Sequence, residues 1–122
     1  MIDFNENYIY HTIKIKGKDT TVKVKKLSYL DRVDFNTKIF DSESATIGGI
    51  QENNLRVNLS EILKAPIFLF IRTVKEIEGF DEWKTMKEKE KENFIRQWIE
   101  YDSDEFAKNI ESLENIVGKL LG

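Results

Sequence analysis

Between Tyr8 and Lys16 the chain alternates: Ile9, His11, Ile13 and Ile15 fall on one face, and Tyr8, Tyr10, Thr12, Lys14 and Lys16 on the other. A period of two belongs to a half-buried strand. Gly17-Lys18-Asp19 is a turn signal, because glycine takes the positive φ that a tight hairpin requires. β-Branched Thr20, Thr21, Val22 and Val24, spaced by Lys23 and Lys25, carry the alternation on to Leu27. The pattern predicts a β-hairpin over about residues 8–27.

From Ser28 onward the period becomes helical. The Ser28 hydroxyl can accept from an early helix amide, and Asp31 places negative charge near the positive helix end. Leu30, Val33, Thr37 and Phe40, with Tyr29 beside them, form one stripe. Asp41-Ser42-Glu43-Ser44 and Gly48-Gly49 interrupt it and predict a loop over about residues 41–58, long against a usual connection of about 4–6 residues. Ser60 can cap a second helix, in which Leu63, Ile67, Phe70, Ile71, Val74 and Ile77 share a face and Gly79 serves as C-cap. Phe68 and Leu69 lie off that stripe, so this helix is apolar nearly all round and is expected at the centre, with a bend at Pro66. A third helix is predicted from about Lys84 to Tyr101, its Lys/Glu start wet and its later part apolar through Phe94, Ile95, Trp98 and Ile99. Ser103 can cap a fourth, where Phe106, Ile110, Leu113, Val117 and Leu120 recur at four, three, four and three, a narrow seam of coiled-coil spacing. The whole reads as one α+β domain over residues 1–122, an N-terminal β-hairpin followed by a bundle of about four helices over residues 28–122.

Composition narrows what such a domain can do. Hydrophobic residues make up 40% of the 122, including 8 Phe and 2 Trp, enough for one core and too many for a disordered chain. With no cysteine there is no disulfide framework, thiolate metal site or Cys nucleophile, and a single histidine leaves no His-based metal cluster. That histidine, His11, lies between Ile9 and Ile13 on the apolar strand face and reads as a hydrogen-bonded structural residue. Glu76, Glu78, Asp81 and Glu82 gather around Gly79, where paired acids could act as general acid and base or hold Mg²⁺; flanking a helix end in a polar turn, they read as solvated. Gly48-Gly49 lacks the flanking residues of a phosphate-binding loop. No catalytic, cofactor-binding or metal site is predicted, and the expectation is a protein that is not an enzyme.

Charge is unevenly spread. The net charge is −3, yet Lys14 to Lys26 holds six lysines and one acid, and Glu100 to Glu114 six acids and one lysine. A basic hairpin with Tyr8 and Tyr10 could stack bases. The preferred reading is a solvated face whose lysines discourage edge pairing, since the acidic helix repels phosphates; no nucleic-acid partner is expected. The longest apolar run, Ala65 to Ile71, is far short of the roughly 20 residues that span a bilayer, and the acidic N-terminus is no secretory signal. A soluble, intracellular chain without a membrane partner is expected. The fourth-helix seam either packs inward or receives a partner helix. Gly118 and Gly122 weaken its last turn, so Leu120 and Leu121 are expected to be exposed.

The order of these features resembles the tail assembly chaperones of long-tailed bacteriophages. The similarity lies in the Lys-rich extended stretch Thr12 to Lys26, the helix opening Leu27-Ser28-Tyr29-Leu30-Asp31-Arg32, the apolar helix ending in Val74-Lys75-Glu76-Ile77-Glu78-Gly79, and the helical tail with Phe94-Ile95-Arg96-Gln97-Trp98-Ile99 and Phe106 to Ile110. It covers most of the chain as an order of elements. The resemblance implies a non-enzymatic chaperone of the host cytoplasm, absent from the finished virion, that coats the helical tape-measure protein and can recruit tail-tube subunits. It leaves open homo-oligomerisation and a longer frameshifted product. Its partner-binding residues are expected along the seam: Phe106, Ile110, Leu113, Val117, Leu120 and Leu121. The rival expectation is a small structural tail or connector adaptor of the virion.

Overall fold

The computed structural model describes residues 8–48 and 55–121. An antiparallel three-stranded sheet, in the order β1-β2-β3, is built from β1 (Tyr8–Ile15), β2 (Lys18–Lys25) and β3 (Val74–Ile77). Four helices accompany it: α1 (Tyr29–Gly48), α2 (Leu55–Thr73), α3 (Glu88–Tyr101) and α4 (Ser103–Leu121). The fold is α+β, as the sequence predicts.

The hairpin forms as its alternation dictates. Ile13, Thr20, Val22 and Val24 are buried on the helix side, while Tyr10, Thr12 and Lys14 face solvent. Ile15 pairs with Lys18, so the turn is the two residues Lys16-Gly17, one position earlier than the Gly17-Lys18-Asp19 signal suggests. Both take positive φ, +52° and +81°, the mirror-image turn whose twist matches that of the strands. Lys16 carries the strain of a left-handed backbone with a side chain, and its ammonium lies 5.9 Å from the Phe94 ring centroid.

Three helical expectations are corrected. The predicted 41–58 loop is helical at both ends: α1 continues through Gly48 and α2 begins at Leu55, leaving residues 49–54 outside the described part. Ser and Asp in mid-helix cost only about 0.5 kcal/mol each relative to Ala, too little to stop a helix. Ser60 therefore lies within α2 rather than capping it, and Pro66 is carried inside the helix. At its other end α2 stops at Thr73. Val74 to Ile77 do not continue the helix but form β3, and Gly79 (φ +76°) belongs to the turn after a strand rather than to a helix C-cap. Finally, Asp81–Thr85 form a separate 3-10 helix before α3, which starts at Glu88.

Local hydrogen bonds explain where the helices begin. The Asp31 amide donates to Ser28 Oγ at 3.1 Å, the expected cap of α1. For α4 the cap is Asp102, whose Oδ1 accepts from the Glu105 amide at 3.0 Å; Ser103 is the first helical residue. The α3 start is held by Glu90, whose carboxylate accepts from the Lys87 amide at 3.0 Å.

Phe70, on the expected central helix, sits at the middle of the core. Its ring meets Trp83 edge-on at 5.5 Å between centroids, Trp98 at 5.6 Å and Phe106 at 6.4 Å, joining α2 to the 3-10 helix, α3 and α4. Val22 and Val24 of the sheet, Leu69, Ile95 and Leu113 belong to the same cluster. Replacing Phe70 with Ala removes a fully buried ring from the meeting point of four elements, so unfolding free energy should fall by about 3–5 kcal/mol, measured from the shift of the denaturant midpoint at unchanged slope.

Candidate functional site

Of the six seam residues expected to bind a partner, four are placed in the core. Phe106, Ile110, Leu113 and Val117 are buried, with Phe106 edge-on to Trp98 at 5.0 Å. This corrects their assignment as a docking stripe. α4 lies along the sheet and α2, and a four-three repeat fills that interface as readily as it would receive a partner helix. Helix α4 extends through Leu121, but the side chains of Leu120 and Leu121 lie outside the described residues.

The apolar surface that does face solvent belongs to α1. Tyr29 is 77% exposed, Leu30 74% and Val33 44%. The inward side of the same helix is Phe35, whose ring stacks on Phe68 of α2 at 6.4 Å between centroids. At 100° per residue Tyr29, Leu30 and Val33 spread around the direction opposite Phe35. The stripe seen in the sequence is therefore present, but it points away from the body of the molecule. What the sequence signal lacked was Phe35, a single aromatic off the stripe that wins the packed side because Phe68 is there to meet it.

Two clefts lie against α4. One, of about 210 Å³, lies between α1 and α4, with Arg32, Phe35, Leu69 and Val117 on its walls. The other, of about 240 Å³ and mostly apolar, is formed by Leu63, Pro66, Ile99, Phe106, Ala107 and Ile110. Glu114 borders both. Burial, and then the neighbouring Glu111 carboxylate, push its pKa up, so its charge is a cost at neutral pH.

The chemistry-bearing residues singled out earlier have structural partners. His11 Nε2 lies 2.7 Å from Ser112 Oγ, tying β1 to α4, and burial lowers its pKa. Of the acids around Gly79, Glu76 pairs with Lys23 at 3.9 Å and Glu78 accepts from the Thr21 amide at 3.4 Å, while Asp81 and Glu82 open the 3-10 helix. Among the described residues no group of His, Cys, Asp and Glu has metal-binding geometry, and no helix is long and apolar enough to cross a membrane. Lys75 was not foreseen. It is the extra residue of a β3 bulge, and its pKa is lowered by burial and by Lys25, Lys91 and Arg72, against which Asp31 acts.

For Glu114 the sign of the linkage is fixed. Its folded pKa exceeds the unfolded one, so the folded state binds this proton more tightly, and stability declines as pH rises through the window above the ordinary carboxylate value. Glu114→Gln should raise Tm at neutral pH by about 1–2 °C, screened as the group is by solvent, and the gain should vanish in acid; melts of both proteins across pH check this. Comparison of the chain with protein-family models, with curated proteins and with solved structures finds no match.

Proposed function

We propose that this protein is a non-catalytic binding protein of the tail assembly chaperone kind, which shields a helical tape-measure client through the outer face of α1. The single observation that carries the reading is the solvent-facing stripe Tyr29, Leu30 and Val33 on a helix whose opposite side is already satisfied by Phe68. Neighbouring positions spaced by three and four present a ridge to a second helix, the geometry by which amphipathic clients dock. Each aliphatic side chain covered there contributes about 1.5–3 kcal/mol at full burial, so a few such contacts suffice for reversible binding. Net charge of −3 helps keep a chain with an exposed apolar stripe from self-associating non-specifically. The client site thus moves from α4, where four of its proposed residues are core, to α1. Neither a nucleic acid nor a membrane enters the proposal, and tail-tube subunits would be secondary partners.

Co-expression with a phage tape-measure protein of long coiled-coil character tests the reading. The wild-type chain should hold that client in the soluble fraction, and the Leu30→Asp, Val33→Asp double variant should lose it while its circular dichroism stays unchanged, because both positions are exposed. Leu113→Asp, by contrast, should unfold the protein. A double variant that still protects the client, or recovery of the chain from purified virions as a stoichiometric component, would overturn the chaperone reading, the latter in favour of an adaptor.

A further inference from the structure

β1 is an edge strand, and the parity of its hydrogen bonds is set by its turn. A two-residue turn makes Ile15 and Lys18 a hydrogen-bonded pair, and such pairs recur at every second residue. Ile13, His11 and Ile9 therefore direct their backbone groups to β2, while Tyr8, Tyr10, Thr12 and Lys14 direct theirs outward. The Lys14 carbonyl agrees, since it accepts from the Asn109 side-chain amide of α4. Toward the turn the edge is closed: Asn109 holds Lys14, and Glu105 accepts from the Gly17 amide at 3.1 Å. Toward Tyr8 it is open, with no partner for Tyr10 and Thr12 backbone groups among the described residues.

Edge strands are ordinarily guarded by charges, prolines or bulges. Here Lys14, Lys16 and Lys18 stand at the turn end, which α4 already closes. The open part, Tyr8-Ile9-Tyr10-His11-Thr12, has no lysine, acid or proline and pairs with β2 without a bulge. Tyr8, Ile9, Tyr10 and Thr12 are strand-favouring residues, and Tyr10 at its centre is 70% exposed.

We propose that two copies of this chain pair antiparallel through this open edge, with Tyr10 facing Tyr10 of the partner subunit across a two-fold axis, so that two three-stranded sheets become one of six strands. The segment is complementary to itself in this register. Tyr8 lies opposite the partner's Thr12, Ile9 opposite the partner's His11, and no like charges meet. A slip by one residue would exchange the two faces of the sheet, and a slip by two toward the turn would bring in the Lys14 carbonyl, which Asn109 occupies. The contact is isologous and therefore closes as a dimer. The inference stands independently of the proposed client, because it uses β1 and not α1.

The absence of cysteine gives a direct test of the register. Opposed residues of a hydrogen-bonded antiparallel pair have Cα atoms about 5.5 Å apart, within disulfide range. Under mild oxidation Tyr10→Cys should cross-link to a dimer, whereas Thr12→Cys, four residues out of register with its own copy, should not. Sedimentation equilibrium should show a wild-type dimer, and Tyr10→Lys, a change at an exposed position, should weaken it on the order of 100-fold with circular dichroism unchanged. A wild-type monomer up to millimolar concentration, equal cross-linking of the two cysteine variants, or a folded Tyr10→Lys variant that dimerises as well as wild type would each overturn the proposal.

Discussion

The Phe70 ring meets Trp83, Trp98 and Phe106, and through those contacts one side chain of α2 fixes the positions of the 3-10 helix, α3 and α4. Edge-to-face geometry at 5.5 and 5.6 Å makes the cluster directional, so it sets angles as well as burial. Trp83 also looks the other way: its Nε1 donates to the Val74 carbonyl at 3.0 Å, anchoring the start of β3. The sheet and the helices are thereby referred to one point. α1 stands apart from this arrangement, since it is held mainly through α2, with Phe35 on Phe68. The element free to present apolar surface is thus the one least tied to the aromatic centre.

How much of the fold could be read in the sequence depended on whether one period ruled a segment. In the hairpin a strict alternation and a glycine turn sufficed, and only the turn register shifted by one residue. At β3 the periods collide. Val74 and Ile77 are three apart, which suits a helix face and continues the stripe of Ile67, Phe70 and Ile71. In the structure the same spacing arises because the ladder slips between Lys23 and Val24, leaving Lys75 as an added residue between the inward-facing Val74 and Ile77. A bulged strand imitates a helical turn in its apolar pattern. The deciding contacts are distant in sequence: Val22 and Val24 of β2, and the Trp83 indole. No local reading could supply them. The buried Thr73 hydroxyl, donating back to the Leu69 carbonyl at 2.6 Å, completes the end of α2 where the pattern gave no stop.

The candidate site failed to be legible for a related reason. Amphipathicity says that a face must be covered, and it does not name the cover. The seam of α4 is regular and α1's stripe less so, and a regular seam can pack inward as readily as receive a partner helix. Yet the sheet is one-sided and needs a helix across its inner face, which α4 provides through Ile110, Leu113 and Val117. The α1 stripe is left over because Phe35 and Phe68 satisfy the opposite side. Helix existence, strand existence and the cap at Ser28 were therefore local facts, while the choice between core and surface was a global one.

The charge blocks behave in the same way. Along the chain the lysine-rich hairpin and the acidic fourth helix are about eighty residues apart and seem to mark two oppositely charged ends. In space α4 runs beside β1, with Glu105 at the Gly17 amide, Asn109 at the Lys14 carbonyl and Ser112 at His11. Within the hairpin, Lys23 is shared with Glu76 and the Tyr8 ring. The same alignment explains why the open part of the β1 edge starts where it does. α4 reaches the outward backbone groups of the edge through Asn109 and Glu105 at the turn end, which already carries the lysines, and meets the uncharged stretch at the inward-facing His11 side chain, through Ser112. An edge that is charged where a helix closes it and neutral around Tyr10 is what the proposed pairing requires.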